Sequence, residues 1–229
     1  QYGFKSLAKA LEDPSGAARG GAAGASSASS APAGASLSGD LFDPPPGTSQ
    51  AVDRHYTTVL DWATFDQWLE RIRAAPLTAL DTETTSLDEM RAQIVGISLS
   101  VQPGEAAYIP LAHAGPDAPE QLPLDQVLER LRPWLEDPNA HKLGQHVKYD
   151  RHVFANHGIE VHGYVHDTML QSYVLEVHRP HGLASLAERH LGRSGLSYED
   201  LCGKGVHQIP FSQVDVERAT EYSCEDADM

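Results

Sequence analysis

The stretch Leu77–Leu87, LTALDTETTSL, brings two carboxylates to the end of an apolar run. Leu77, Thr78, Ala79 and Leu80 follow Pro76 and suit a buried strand that ends in Asp81-Thr82-Glu83. Side chains alternate across a strand, so Asp81 and Glu83 point the same way, roughly 7 Å apart along the backbone. Two carboxylates aimed into one space repel each other, and a cation between them relieves the repulsion. Hard oxygen donors of this kind favour magnesium or manganese. Taken alone, the stretch reads equally well as a solvated strand end with a turn in Thr84-Thr85-Ser86.

Two other clusters carry acids in a patterned way. In Gly144-Gln145-His146-Val147-Lys148-Tyr149-Asp150 a strand gives way to a helix, which puts Asp150 in an early helical turn. The helix dipole stabilises an acid there whatever its role. Near the end stand Tyr222, Cys224, Glu225, Asp226 and Asp228. Tyr222 and Asp226 are four apart and share one helix face, whereas Glu225 and Asp228 are expected to point elsewhere, into solvent. Asp167 reads as a helix N-cap rather than a ligand. The 12 histidines form no His-x-x-x-His or His-Cys grouping, so zinc is not suggested by them. Ser-His-Asp chemistry has no local signature. Gly203-Lys204-Gly205 lacks the length and the following helix of a phosphate-binding P-loop and reads as a plain loop, with a phosphate contact as the alternative.

The elements that must position these residues follow from periodicity. Thr57–Leu60 suits a strand. Asp61 or Thr64 can cap a helix to about Ala74, with Phe65, Trp68, Leu69 and Ile72 inward. After the Leu77 strand, Ile94–Val101 and Ala106–Leu111 suit two antiparallel strands. His113–Leu122 is a loop and Leu124–Leu135 a helix. Lys142–Gln145 is a short strand and His146–His157 a helix. Tyr164–His166 is extended, and Asp167 caps a helix over Thr168–Val177. Leu183–Leu191 is helical. Ser194–Phe211 is mostly loop with a short helix at Tyr198–Leu201, and Ser212 caps a last helix that runs to Met229. No internal repeat is visible. Strands come first and helices dominate later, which gives an α/β class with a mixed sheet.

Composition bounds the rest. The 229 residues are 41% hydrophobic, enough for one sizeable domain plus extra segments. Tyr2–Leu11 has helical spacing but is too short to be stable alone. From Pro14 the composition collapses to Gly, Ala, Ser and Pro, so residues 14–54 read as a disordered linker ahead of a domain over 55–229. The formal charge is −15. Residues 1–54 hold Lys5, Lys9, Arg19 and Arg54 against Glu12, Asp13, Asp40, Asp43 and Asp53, one net negative charge, which leaves −14 on the remainder. Such a surface does not grip duplex DNA by neutralising phosphate. A nuclease remains compatible, because an acidic site binds metal first and phosphate through it. Cys202 and Cys224 have no zinc-like spacing, no apolar run reaches membrane-spanning length and no signal peptide opens the chain, so a cytoplasmic, reducing context with no membrane is expected.

In order along the chain, Asp-x-Glu on a strand, an Asp in a Lys-Tyr-Asp context and a terminal Tyr-x-x-x-Asp resemble the DEDD exonucleases of the tyrosine subtype. The wording is closer still to the 3′–5′ proofreading domain of bacterial DNA polymerase I. LDTETTSLD, KLGQHVKYDRHVFANHGIE, HDTMLQSYVL, SLAERHLG, YEDLCGKG and ATEYSCEDAD all resemble it, over roughly residues 55–229. Residues 1–13 resemble the last helix of that family's 5′-nuclease domain, and the chain would then stop before the polymerase domain.

The resemblance implies a ribonuclease H-like fold, a mixed sheet flanked by helices. It implies that Asp81, Glu83, Asp150 and Asp226 bind two divalent cations, Mg2+ or Mn2+, with Zn2+ an alternative at one site. Asp81 would bridge the two ions, and Tyr222 would orient the attacking water. Leu87 matches a residue that wedges at the 3′-terminal base, Tyr198 a stacking aromatic, and Gln145 and Tyr149 lie beside the DNA end. His146 departs from the Asn frequent in close relatives. The implied reaction removes mismatched 3′-terminal deoxynucleotides from single-stranded or frayed DNA as 5′-monophosphates. The implied partners are covalently linked polymerase and 5′-nuclease domains, in a monomer associated with the bacterial nucleoid. Two rivals are a ribonuclease D-like RNA 3′-exonuclease and a silent structural module that supports a polymerase domain.

Overall fold

The computed structural model describes residues 53–229. The expected helix over residues 2–11 and all but the last two residues of the expected linker lie outside the described residues. The chain forms β1 (His55–Thr58), α1 (Trp62–Ala74), β2 (Thr78–Thr84), β3 (Ile94–Gln102) and β4 (Glu105–Pro110). It continues through α2 (Leu124–Leu135), β5 (Lys142–Gly144), α3 (Val147–Asn156) and β6 (Tyr164–Asp167). The last helices are α4 (Thr168–Leu175), α5 (Leu183–Leu191), α6 (Tyr198–Cys202) and α7 (Val216–Asp228). The strands make one six-stranded sheet in the order β1-β4-β3-β2-β5-β6. β2, β3 and β4 are antiparallel neighbours, while β1 joins β4, and β5 and β6 extend from β2, in parallel. The mixed α/β sheet expected from the chain order is therefore present.

Helices cover both faces. On one, Phe65, Trp68 and Ile72 of α1, Val127 and Leu131 of α2, and Phe154 of α3 close a core over Leu80 and Ile97. On the other, Ala219 and Cys224 of α7, with Leu201 and Phe211, pack on Val95, Ala106 and Tyr108. This two-sided cover is why Ile94–Ser100 of β3 is buried at every position instead of alternating. Gly96 is required there, because a Cβ would fall 2.1 Å from the Tyr108 hydroxyl. Tyr108 donates to His113 Nε2 at 2.8 Å, and His113 Nδ1 in turn donates to the Val214 carbonyl at 3.1 Å, which sets the imidazole tautomer.

Several boundaries differ from expectation. β1 begins two residues early, because His55 pairs with Glu105 at the start of β4. Asp61, not Thr64, caps α1 by accepting from Thr64 N at 2.9 Å. α4 stops at Leu175. The cap of α7 is Asp215, not Ser212. Ser212 lies in a 3₁₀ turn, Phe211–Gln213, whose Phe211 is buried, and Asp215 accepts from Glu217 N and Arg218 N at 3.0 and 3.1 Å. Asp167 caps α4 as expected and also takes the amides of His146 and Val147 at 3.3 and 3.0 Å. One carboxylate thus serves the N-termini of both α3 and α4. His146, between them, has φ 61°, the left-handed region that favours Gly or Asn.

Candidate active site

The site lies where β2 and β5 end, under α7. Residues paired across a sheet share a face. Asp81 pairs with Ser98 and Glu83 with Gly96, and Ser98 pairs on with Tyr108, a core residue under α7. Asp81 and Glu83 therefore face α7. A bulge follows at Glu83/Thr84, where β2 leaves the ladder and enters the turn to Leu87. From α7, Tyr222, Ser223 and Asp226 lie on one face by the three- and four-residue spacing of a helix. Asp150 enters from the first turn of α3.

All ten residues singled out from the sequence line one cavity of about 270 Å3. β2 and its loop supply Asp81, Glu83 and Leu87. The β5–α3 junction supplies Gln145, His146, Tyr149 and Asp150. Tyr198 comes from α6, and Tyr222 and Asp226 from α7. A larger groove of about 880 Å3 between α3 and β6 has no comparable acid cluster; its Asp167 is already committed as a cap.

The electrostatics are unfavourable to the charged forms. Burial pushes Asp81 up to about 6. Asp226 is pushed up to about 7 by burial and then by Asp81, eased by the nearby Tyr222 hydroxyl. Glu83 is raised well above its usual value, first by burial and then by Asp81; a hydrogen bond from Ser223 opposes the rise. Asp150 is raised by burial and by Asp81, against a 2.6 Å hydrogen bond donated by Thr82. Among the described residues none of the four sits in an ion pair. Burial also holds the Tyr222 phenol protonated, with Asp226 next in effect. Among the described residues no three His, Cys, Asp or Glu side chains close on a single point as a ready-made cage. The acids line a shared space rather than a finished coordination shell.

The flanking residues divide by what holds them. Leu87 is 94% exposed at the cavity mouth. The Tyr149 hydroxyl donates to the Ser86 carbonyl and meets Thr84, so this ring braces the turn that presents Leu87. Gln145 donates to the His181 carbonyl at 2.8 Å and accepts from Thr168, and so ties the site to the α4–α5 loop. His146 is exposed and stacks loosely on Tyr149, with centroids 6.3 Å apart. Lys204 pairs with Glu199 in an exposed loop, the plain-loop reading of Gly203-Lys204-Gly205.

Sequence reasoning missed two contributors. Phe211 stacks between Tyr198 and Tyr222, with centroids 6.3 and 6.1 Å away, and joins them into one aromatic wall. Ser223 donates to Glu83 Oε1 at 2.8 Å. The only local signal for Ser223 was its place on the face already marked by Tyr222 and Asp226. Glu225 and Asp228 correct the expectation of solvated acids. Glu225 is buried, and accepts from Arg54 at 2.7 Å and from Leu196 N at 2.8 Å. Asp228 accepts from Gly104 N at 2.6 Å, Tyr56 OH at 3.0 Å and Arg193 at 2.8 Å.

Residues 56–229 match the family model described as 3′-5′ exonuclease. The chain belongs to the 3′–5′ exonuclease family. It is 50% identical over 177 residues to DNA polymerase I of Pseudomonas aeruginosa, matching 76% of this chain and 19% of that protein. It is 40% identical over 192 residues to DNA polymerase I of Rhizobium leguminosarum, again 76% of this chain and 19% of that protein. The chain thus spans about a fifth of the length of these relatives. Among solved structures, Escherichia coli RNase D superposes with TM-score 0.53 at 22% identity, over 76% of this chain and 42% of that one. The catalytic core of RRP6 from Trypanosoma brucei does so with TM-score 0.56 at 13% identity, over 78% and 45%. At those identities the likeness is one of fold, and it is the ribonuclease H-like fold expected from the sequence. The exonuclease family makes this chain a nuclease. No helix among the described residues is long and apolar enough to cross a membrane.

Proposed function

We propose that the chain is the proofreading part of a longer DNA polymerase I, removing 3′-terminal deoxynucleotides from single-stranded or frayed DNA as 5′-monophosphates. The observation that carries this reading is the convergence of Asp81, Glu83, Asp150 and Asp226, without ion-pair partners, beside Tyr222 in one cavity of an exonuclease-family fold. The donor set fits hard divalent cations: four carboxylates, raised by burial and by one another, in a site to which no Lys or Arg contributes. Asp81, Glu83, Asp150 and Asp226 would hold two such ions, Mg2+ or Mn2+. When bound, these ions would lower the pKa of water and stabilise the leaving 3′-oxygen.

The chain's own residues do the remaining work. Tyr222, kept protonated, would hydrogen-bond and orient the water. Leu87 and Tyr198, the latter backed by the buried Phe211 ring, would stack the terminal bases without regard to their identity, at ~1–3 kcal/mol per base on an aromatic platform. Gln145 and Tyr149 would act mainly by bracing the cavity wall, since both already have protein partners. The preference for mismatched ends would come from fraying, which delivers single strand more often. Residues 1–13 and 14–54 would be the tail of a 5′-nuclease domain and a linker, with the polymerase domain after Met229. Such a protein would work as a monomer in the bacterial cytoplasm at the nucleoid.

The test is digestion of 5′-labelled DNA and RNA strands of equal length in magnesium and in manganese, with a chelator control. A ladder shortening from the 3′ end is expected, fastest on single-stranded DNA, intermediate on a terminal mismatch and slowest on a matched duplex. No cleavage in either metal would establish the silent module. Faster cleavage of RNA than of DNA would move the chain to the ribonuclease D-like reading.

A further inference from the structure

We propose that Ser223 is a positioning residue for Glu83, fixing one carboxylate oxygen so that the other is presented to a divalent cation; this rests on the metal-binding reading above. Ser223 is fully buried in α7, and its Oγ donates across to Glu83 Oε1 on β2 at 2.8 Å. A serine hydroxyl has a single proton. Inside a helix that proton ordinarily goes to a carbonyl one turn back. Here it is spent on a residue 140 positions away in sequence.

Glu83 needs such a restraint. It stands at the bulge of β2, and Gly96 opposite offers no side chain for it to lean on. Asp81, Asp226 and Asp150 all push on its charge. Among the described residues, Ser223 is the one donor bonded to either Glu83 oxygen. The same bond ties α7 to β2, one residue from Tyr222 and three before Asp226.

The experiment compares wild type, Ser223→Ala and Asp81→Ala. It measures Mn2+ binding by calorimetry and by electron paramagnetic resonance of the free ion, and thermal unfolding in chelator. Ser223→Ala is expected to bind Mn2+ about tenfold more weakly, the scale typical of residues that orient metal ligands. Its unfolding temperature in chelator should fall modestly, because the better helix propensity of alanine offsets only part of the hydrogen bond lost to a buried carboxylate. Its cleavage rate should recover as Mn2+ is raised. Unchanged Mn2+ affinity in Ser223→Ala, with or without a lower unfolding temperature, overturns the proposal and leaves Ser223 a packing residue. Wild-type Mn2+ affinity in Asp81→Ala would instead overturn the metal reading itself, whatever Ser223 does.

Discussion

Three carboxylates of the last turn of α7, Glu225, Asp226 and Asp228, end in opposite circumstances. Asp226 joins Asp81, Glu83 and Asp150 in a cavity where no arginine or lysine meets it, and its neighbours raise its proton affinity. Glu225 and Asp228 point the other way and are met by Arg54, Arg193, Tyr56 and two backbone amides. Folding gains from the second set and is opposed by the first. A buried acid with no cation to pair with among the described residues persists against the stability of the fold, which is the mark of a group kept for chemistry. A buried acid with three donors is a fastening. The contrast assigns chemistry to one face of α7 and mechanical support to the other.

The contrast breaks most directly at Asp81. Asp81→Ala should reduce cleavage by about a thousandfold or more, equivalent to about 4 kcal/mol of transition-state stabilisation. Unfolding in chelator should hold or improve, since a repelling charge is removed. A clear loss of stability would place Asp81 with the fastenings.

Asp228→Ala should do the reverse. It strands Arg193 and Tyr56 beside a side chain with 0% exposure. Removing one partner of a buried pair costs about 3–5 kcal/mol. At about 2–4 °C per kcal/mol for a domain of this size, calorimetry should show a fall of roughly 10 °C. The Arg54–Glu225 pair, whose arginine is 42% exposed, should matter less. A silent Asp228→Ala would mean that β1 and β4 hold α7 without it.

Tyr222→Phe sharpens the picture within the site. On the proposed reading the hydroxyl would position water while the carboxylates hold the ions, so cleavage should slow by about 100-fold, the low end of what a positioned proton-handling group contributes. Mn2+ affinity measured by calorimetry should not change. A loss as complete as that of Asp81→Ala would give Tyr222 a larger task than orientation.

The smallest effect is on pH. The folded state holds protons that the unfolded chain releases, because Asp81 and Asp226 are raised to about 6 and about 7 and Glu83 and Asp150 are raised too. Their contribution to stability is fully present below the usual carboxylate value and is lost as pH rises through about 6 and about 7. Unfolding midpoints in chelator should therefore decline from pH 5 to pH 8, and saturating Mg2+ should flatten the decline. A midpoint that climbs over that range would show that the site acids are not raised in the folded state.

Much of the site was legible because its signals are local. Asp81 and Glu83 share a face by strand alternation, and Tyr222 and Asp226 by helical spacing. Asp150 follows a strand-to-helix switch written in seven residues. The inward face of α1 could be read from Phe65, Trp68, Leu69 and Ile72 in the same way. The apolar spacing also marked where most elements begin and end, within a few residues.

The remainder depended on packing, because the partners lie far apart along the chain. Glu225 meets Arg54 across 171 residues, Asp228 meets Gly104 across 124, and Ser223 meets Glu83 across 140. Periodicity says which residues share a face; it does not say what that face meets. Asp228 looked solvated because an acid at a helix end usually is, and it became a fastening once β1 and the β3–β4 turn closed over it. Phe211 came to back Tyr198 and Tyr222 when its 3₁₀ turn lodged between α6 and α7, and that turn also moved the cap from Ser212 to Asp215. Local spacing marks the acids that can act together. Packing of α7 on the sheet leaves four of them, among the described residues, with no Arg or Lys to pair with.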